Sequence, residues 1–98
     1  MASGREYLEY VLEQLSEAEQ LRYRPMMGEF LIYCRNKLVG GVYDDRLLVK
    51  STPSARALLP DAPLEEPYPG AKPMLLVTEM ENKRLLRELL EAVAGEVR

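Results

Sequence analysis

The side chains that could do chemistry in this sequence are few, because it contains one cysteine and no histidine. Histidine is the commonest general base and metal ligand in proteins, and it activates many serine and cysteine nucleophiles. Cys34 therefore lacks the partner that would lower its pKa, and its alternation with Phe30 and Ile32 places it on an apolar strand face. We expect a buried, unreactive thiol and no nucleophilic catalysis.

The carboxylates of this chain do not have the spacing of a metal site. A magnesium or calcium ion needs several oxygen ligands that converge on one point, and the acidic pairs share neither one helix face nor one loop. These pairs are Asp44-Asp45, Glu65-Glu66, and Glu79 with Glu81. Lys72, which lies in a proline-rich stretch, is interpreted as an exposed loop cation and not as a nucleophile. The sequence thus predicts no metal, no cofactor and no catalytic residue.

The middle of the chain is basic, although the net charge of the 98 residues is −3. Residues 22–56 carry seven basic and three acidic side chains, whereas residues 1–21 and 57–98 are acidic. Period-two alternation indicates that the basic side chains share one sheet face with two tyrosines, as in sheets that bind nucleic-acid backbones and stack bases. The residues of this candidate surface are Arg22, Arg24, Tyr33, Arg35, Tyr43, Arg46 and Lys50.

Three interpretations of this basic surface stay open. The favoured one is a solvated sheet face whose charges keep the strand edges soluble. The second is a surface that binds a protein. The third is direct nucleic-acid binding, which the acidic total disfavours because dedicated nucleic-acid-binding domains are usually strongly basic.

The elements that would position these residues follow from the hydrophobic periodicity. Spacings of three and four predict a first helix that begins at a Ser3–Glu6 capping box and runs to about Ser16. A change to period two then predicts four strands whose short links favour an antiparallel meander. The predicted strands cover residues 22–27, 30–35, 38–43 and 46–50, with turns at Asn36-Lys37 and Asp44-Asp45.

The second half of the chain reads as helix, loop, strand and helix. Thr52 followed by Pro53 predicts the start of a short helix. The proline-rich residues 61–73 predict either a loop or a short strand around Tyr68, with a turn at Pro69-Gly70. Residues 74–77 predict a strand, after which a capping box at Thr78 opens a final amphipathic helix. The order α-β-β-β-β-α-β(β)-α predicts one two-layer α+β domain over residues 1–98, with helices on one face of an antiparallel sheet.

Three stretches of this sequence resemble the TfoX N-terminal domain family. Residues 24–30 (RPMMGEF) are similar to that family's Arg-x-Met-Phe/Met-Gly signature. Residues 44–50 (DDRLLVK) resemble its Asp-Asp-Arg-Leu-x-x-Lys stretch, and residues 68–74 (YPGAKPM) resemble its Tyr-x-Gly-x-Lys-x-Met region. With the opening helix, the resemblance covers about residues 5–93. The signature positions, for which we expect structural roles with both methionines of the first stretch in the core, are Met26, Met27, Gly28, Asp45, Gly70, Lys72 and Met74.

The resemblance implies regulation and not catalysis. Family members with known roles resemble transcriptional coactivators of DNA-uptake genes that act with the cyclic-AMP receptor protein. Those regulators carry a second domain, and we expect this chain to be a stand-alone, single-domain member. The family's fold resembles two-layer secretion-chaperone-like domains, which agrees with the element order.

We therefore expect a non-enzymatic regulatory or adaptor domain that binds another macromolecule, with a protein as the favoured partner. Direct nucleic-acid binding through the basic face is one alternative, and a small-molecule-binding domain or enzyme of unknown reaction is another. The sequence has no apolar run long enough for a membrane span or a secretory signal, so we expect a cytoplasmic protein. The sheet edges and the apolar face of the last helix are compatible with a homodimer, and the alternative is that this helix face belongs to the core.

Overall fold

A computed structural model describes residues 4–97, which form three helices and one six-stranded antiparallel sheet. The predicted α+β class and element order are confirmed. Ser3, the predicted first cap, lies outside the described residues. In chain order the elements are α1 (Arg5–Gln14), β1 (Leu21–Met26), β2 (Glu29–Cys34), β3 (Lys37–Tyr43), β4 (Arg46–Val49), α2 (Pro53–Leu58), β5 (Leu64–Glu65), β6 (Met74–Leu76) and α3 (Lys83–Glu96).

Two-residue turns join the first four strands into a meander. Each turn has two consecutive residues with positive φ, which is what a type I′ turn requires and what matches the twist of the flanking strands. The predicted turn, Asn36-Lys37, is one residue further along the chain than the observed turn, Arg35-Asn36. Asn36 occupies the second left-handed position of the turn and not the first. The turn residues are Met27 (φ 51°) and Gly28 (87°), Arg35 (54°) and Asn36 (65°), and Asp44 (51°) and Asp45 (56°).

In the second half of the chain, the predicted start of α2 is confirmed, whereas the predicted start of α3 is wrong. Thr52 caps α2 as predicted, because its Oγ1 accepts a hydrogen bond from the Ala55 amide at 3.2 Å. The capping box predicted at Thr78 does not form. Asn82 caps α3 instead, accepting from the Leu85 amide at 3.1 Å. Both Thr78 and Asn82 are good capping residues, so the local sequence does not by itself decide between them.

The main core lies between the sheet and the helices. The strands follow the order β1-β2-β3-β4-β6-β5, so β1 and β5 form the two edges. Alternate strand residues point towards the helices, where they meet the apolar stripes of α1 and α3. Fully buried members of this cluster include Leu8, Val11, Ile32, Cys34, Val42, Val49, Leu86, Leu89, Leu90 and Val93.

The opposite, outer face of the sheet is partly covered by the loop between β5 and β6, residues 66–73. Leu48 is fully buried but lies outside the main cluster, because its pairing with Gly41 and Leu76 places it on the outer face. The Tyr68 ring packs against Tyr43 there, with ring centroids 6.5 Å apart. Of the two alternatives for the segment around Tyr68, the structure shows a loop, and the short strand of this region lies earlier, at Leu64–Glu65.

Gly40 lets β3 approach β4 closely, and Gly41 makes room for the Tyr43 ring. A Cβ at Gly40 would contact the Leu48 carbonyl oxygen and lie 2.9 Å from the Val49 Cα. A Cβ at Gly41 would lie 2.7 Å from a carbon of the Tyr43 ring. The absence of both side chains therefore fixes the spacing of the central strands and the position of Tyr43.

Candidate functional site

Five of the seven predicted surface residues lie on the outer sheet face. Arg22 pairs with Tyr33 across β1 and β2, and Tyr43 pairs with Arg46 across β3 and β4. Residues opposite each other in an antiparallel pair project to the same side of the sheet, which places Arg24, two positions along β1, on this side as well. Lys50 directly follows β4 and borders a groove on the same face.

Arg35 does not join this surface. It occupies the first position of the β2–β3 turn, and its guanidinium lies 3.6 Å from the carboxylate of Glu19 and 3.8 Å from that of Glu91 in α3. The period-two pattern assigned Arg35 to the wrong face because β2 ends at Cys34, and turn residues do not follow strand alternation.

Arg46 attaches the β5–β6 side of the molecule to the sheet. Its guanidinium donates to the Glu65 carboxylate at 2.6 Å and to the Glu66 carbonyl oxygen at 3.5 Å, while its Nε donates to the Tyr43 carbonyl oxygen at 3.1 Å. Tyr43 itself is buried, and this burial raises the pKa of its hydroxyl. Tyr43 and Arg46 are thus occupied by intramolecular contacts.

Arg22 and Arg24 both lie exposed on the edge strand β1, whereas Arg46 is half-buried against Glu65. The Arg22 guanidinium lies 5.9 Å from the centre of the Tyr33 ring. Among residues 4–97, neither Arg22 nor Arg24 forms an ion pair. The side chains of Arg22, Arg24 and Tyr33, together with Tyr23, line a depression of about 350 Å³. We call Arg22, Arg24 and Tyr33 the arginine corner.

The β1–β2 turn presents methionines to solvent, so the expectation of core positions for them is wrong. Met27 is 97% exposed and Met26 is 38% exposed. Met27 holds the first left-handed position of a tight turn beyond the last pair of the hairpin, where no element covers it. Gly28 follows with φ 87°, a conformation that glycine adopts without strain. We call Pro25, Met26 and Met27 the methionine tip.

The acidic residues near the β3–β4 turn hold the backbone and do not form a cation site. The Glu29 carboxylate accepts from the Asp44 amide at 3.1 and 3.2 Å. Asp45 accepts from the Gly4 amide at 3.0 Å, which ties the start of α1 to the turn. Across the described part of the chain, no three acidic or cysteine side chains cluster as metal ligands would.

A second concave region lies between the outer sheet face and the β5–β6 loop. This groove has a volume of about 380 Å³. Four of the signature or surface residues predicted from the sequence line it, namely Tyr43, Lys50, Lys72 and Met74. Gly70, with φ 86°, forms the turn that carries the loop back towards β6. The shape of the groove arises from a non-local contact between the loop and the sheet, so periodicity along the sequence does not reveal it.

Comparison with known proteins supports the family resemblance of residues 24–30, 44–50 and 68–74. A family model described as the TfoX N-terminal domain matches residues 13–91. The chain belongs to the TfoX N-terminal domain family. The matched range includes the methionine tip, the Asp44–Lys50 stretch and the whole β5–β6 loop. TfoX N-terminal domains are in general regulatory domains, and the family is linked to competence regulation.

A relative of this TfoX N-terminal domain occurs in Spirochaeta aurantia. It is named "Uncharacterized 12.7 kDa protein in trpE 5'region" and is 30% identical over 96 residues, which cover 97% of this chain and 84% of that protein. No solved structure matches the chain. None of the helices within residues 4–97 has the length and apolar character needed to cross a membrane.

Proposed function

We propose that this protein is a non-enzymatic regulatory or adaptor domain that binds an acidic segment of a partner protein. The binding surface consists of the arginine corner and the adjoining methionine tip. The observation that carries the proposal is the presence of two exposed arginines without ion-pair partners in residues 4–97, on the strand that leads into the turn at Met27. Membership of a regulatory family supports a binding role.

The chemistry of this surface suits a protein partner. Exposed methionine side chains are flexible and polarizable, and they adapt to irregular apolar surfaces. Arginine forms bidentate hydrogen bonds with carboxylates and is enriched at the centres of protein interfaces. Arg22, Arg24 and Met26 alternate onto one face of β1, so a single partner segment can contact all three.

The free edge of β1 adds a backbone component to the same surface. Because the turn closes between Met26 and Glu29, the backbone groups of Leu21, Tyr23 and Pro25 point away from β2. An extended peptide can add to such an edge as a further strand, with side-chain pockets supplying specificity. Pro25 has no amide hydrogen, which limits the added strand to the part of the edge before it.

Direct nucleic-acid binding is a second candidate, supported by Arg22 stacked near the Tyr33 ring. Arginine and aromatic side chains that present their faces together can bind unstacked bases. The number of cations available for phosphates is small, since Arg35 and Arg46 are held by acidic partners. The net charge of −3 also opposes it.

Site-specific photo-crosslinking in the native cell tests the proposal. With p-benzoylphenylalanine at Met27, we expect crosslinks to a discrete protein that survive nuclease treatment. The matched control carries the same residue at Tyr10, which is 41% exposed on α1, and should give none of this product. Replacing Arg22 and Arg24 by serine should reduce the Met27 product roughly tenfold, as loss of interface arginines does.

Two outcomes would contradict protein binding. If Met27 and Tyr10 give the same products, the methionine tip is not a specific surface. If the Met27 product disappears with nuclease, the partner is a nucleic acid, and its affinity should then fall steeply with salt. Unchanged thermal unfolding of the serine variant, whose substitutions are both exposed, confirms that the loss reflects binding.

A further inference from the structure

We propose that the groove between the outer sheet face and the β5–β6 loop binds a small organic anion with a planar apolar body. This inference goes beyond the protein-binding function, because the groove and the arginine corner share no residue. Neither the family membership nor the Spirochaeta aurantia relative assigns a ligand to it.

The size of the groove matches a small molecule. Sites for small ligands usually occupy about 300–1,000 Å³, and this groove, at about 380 Å³, falls at the lower end. Leu38 and Gly40 of β3 lie at its floor, and Met74 lies where the loop enters β6. A ligand of this volume is a single-ring compound with a short substituent.

Two tyrosines give the groove an aromatic wall. The Tyr43 and Tyr68 rings are tilted by 54° with their centres 6.5 Å apart. Tyr43 is buried and held in place above Gly41, whereas Tyr68 is 57% exposed. A planar ligand in the groove would cover the exposed part of the Tyr68 ring, and aromatic stacking of this kind adds to the burial of apolar area.

The charges at the groove select an anion. Lys50 and Lys72 both line it, and none of its described lining residues carries a carboxylate. A third cation, Arg56, is held beside it, since its guanidinium donates to the Ser51 carbonyl oxygen and hydroxyl, both at 3.0 Å. A concave site that is lined by positive charges on low-dielectric walls attracts anionic ligands.

The Glu96 carboxylate, which lies near the groove, does not neutralise Lys50 or Lys72. Glu96 precedes Val97, which lines the groove. Its carboxylate accepts hydrogen bonds from the Ser54 amide at 3.1 Å and the Ser54 hydroxyl at 2.6 Å. Among the described residues neither Lys50 nor Lys72 forms an ion pair, so both amino groups are available to a ligand.

Amide chemical shifts measured with defined probes test this site. We expect benzoate to shift the amide resonances of Gly40, Ser51 and Ala71, with a Kd on the order of 1 mM for so small a ligand. Benzamide, its neutral counterpart, should bind about tenfold more weakly, which corresponds to one charge contact. Phenyl phosphate, compared with benzoate, identifies the preferred head group.

Substitutions then assign the contacts. Replacing Lys50 and Lys72 by methionine should weaken benzoate about tenfold, whereas Arg84→Met, an exposed cation at the far end of α3, should leave it unchanged. Tyr68→Ala should weaken benzoate and phenyl phosphate alike without a loss of native amide dispersion, because Tyr68 lies in an exposed loop.

The proposal is overturned if benzamide shifts these resonances as strongly as benzoate, since the lysines would then have no role. It is also overturned if inorganic phosphate alone reproduces the shifts of phenyl phosphate, because the planar body would then contribute nothing. Either result leaves the Met27 crosslink unaffected, so the failure of this site and the failure of protein binding are distinguishable.

Discussion

At the level of single residues, Gly40 and Gly95 differ in the space that is available for a side chain. A side chain at Gly40 would meet the backbone of β4, whereas nothing lies within 4 Å of a Cβ at Gly95, which is exposed in α3. Glycine in a helix interior costs stability because it gives up more backbone freedom on folding than alanine does. The same substitution should therefore have opposite signs at the two sites.

We expect Gly40→Ala to lower the free energy of unfolding by about 1–3 kcal/mol, the usual cost of overpacking a well-packed region. Gly95→Ala should raise it by up to about 0.5 kcal/mol, less than in a helix interior because Gly95 lies in the last turn of α3. Urea denaturation of both variants beside the parent protein measures the two changes. Equal effects at the two positions would disprove the close approach of β3 and β4.

Cys34 offers a second test at this level. It is fully buried, its Sγ donates to the Glu19 carbonyl oxygen at 3.4 Å, and burial raises the pKa of its thiol. Both effects reduce the supply of reactive thiolate. We expect an aromatic disulfide reagent at pH 8 to react at least about 100-fold more slowly with the folded protein than with the urea-unfolded protein. Comparable rates in the two states would show that Cys34 is accessible.

At the level of elements, the end of α3 is tied to the start of α2, because the Glu96 carboxylate accepts hydrogen bonds from Ser54. Hydrogen bonds from the Ser54 and Thr52 side chains hold the pKa of the Glu96 carboxyl below its ordinary value, and the Ser54 amide and nearby Arg56 act in the same direction. A carboxyl whose pKa is lower in the folded state stabilises the fold at neutral pH. This stabilisation is lost as the pH falls through the folded-state pKa.

Glu96→Gln should therefore reduce stability at pH 7, and the difference from the parent protein should shrink towards zero as the pH falls below about 4. Urea unfolding at a series of pH values measures this difference. Glu88→Gln, an exposed position of the same helix, is the matched control and should show little change at any pH. A difference that is independent of pH would mean that the Glu96 contacts do not depend on its charge.

The boundaries of the elements show what a single sequence can and cannot predict. The strands of the meander were located to within one residue at each end, because period-two alternation and acidic or asparagine turn residues are local signals. The start of α3 was misplaced by four residues, since Thr78 and Asn82 are equivalent as local caps. The position of β5 was missed because Leu64 and Glu65 become a strand through pairing with β6.

The candidate surfaces were predicted less completely than the fold. Alternation correctly grouped Arg22, Arg24 and Tyr33, but it could not reveal that Arg46 would be bound by Glu65 or that Arg35 would turn towards α3. These differences depend on which acidic residue a distant segment brings near. The exposure of Met27 was likewise missed, because methionine is usually buried and the turn that exposes it was not recognised.

At the level of the whole molecule, the two ends of the chain pack on the same apolar sheet face. α1 precedes the meander and α3 follows it, and both contribute to the main core. The meander consists of neighbouring strands joined by tight turns, so its contacts are local and form early in folding. The contacts of α3 with β2 and β3 bridge a much longer stretch of sequence.

This arrangement has a consequence for biosynthesis. The ribosome makes all the strands before α3, so the strands that emerge and pair first keep part of their apolar face uncovered until residues 83–96 have also emerged. An uncovered apolar sheet with a free β1 edge is a surface on which chaperones act and nascent chains associate. Substitutions that weaken the apolar stripe of α3 should therefore reduce the yield of protein made in the cell more than they reduce the stability of protein that has already folded.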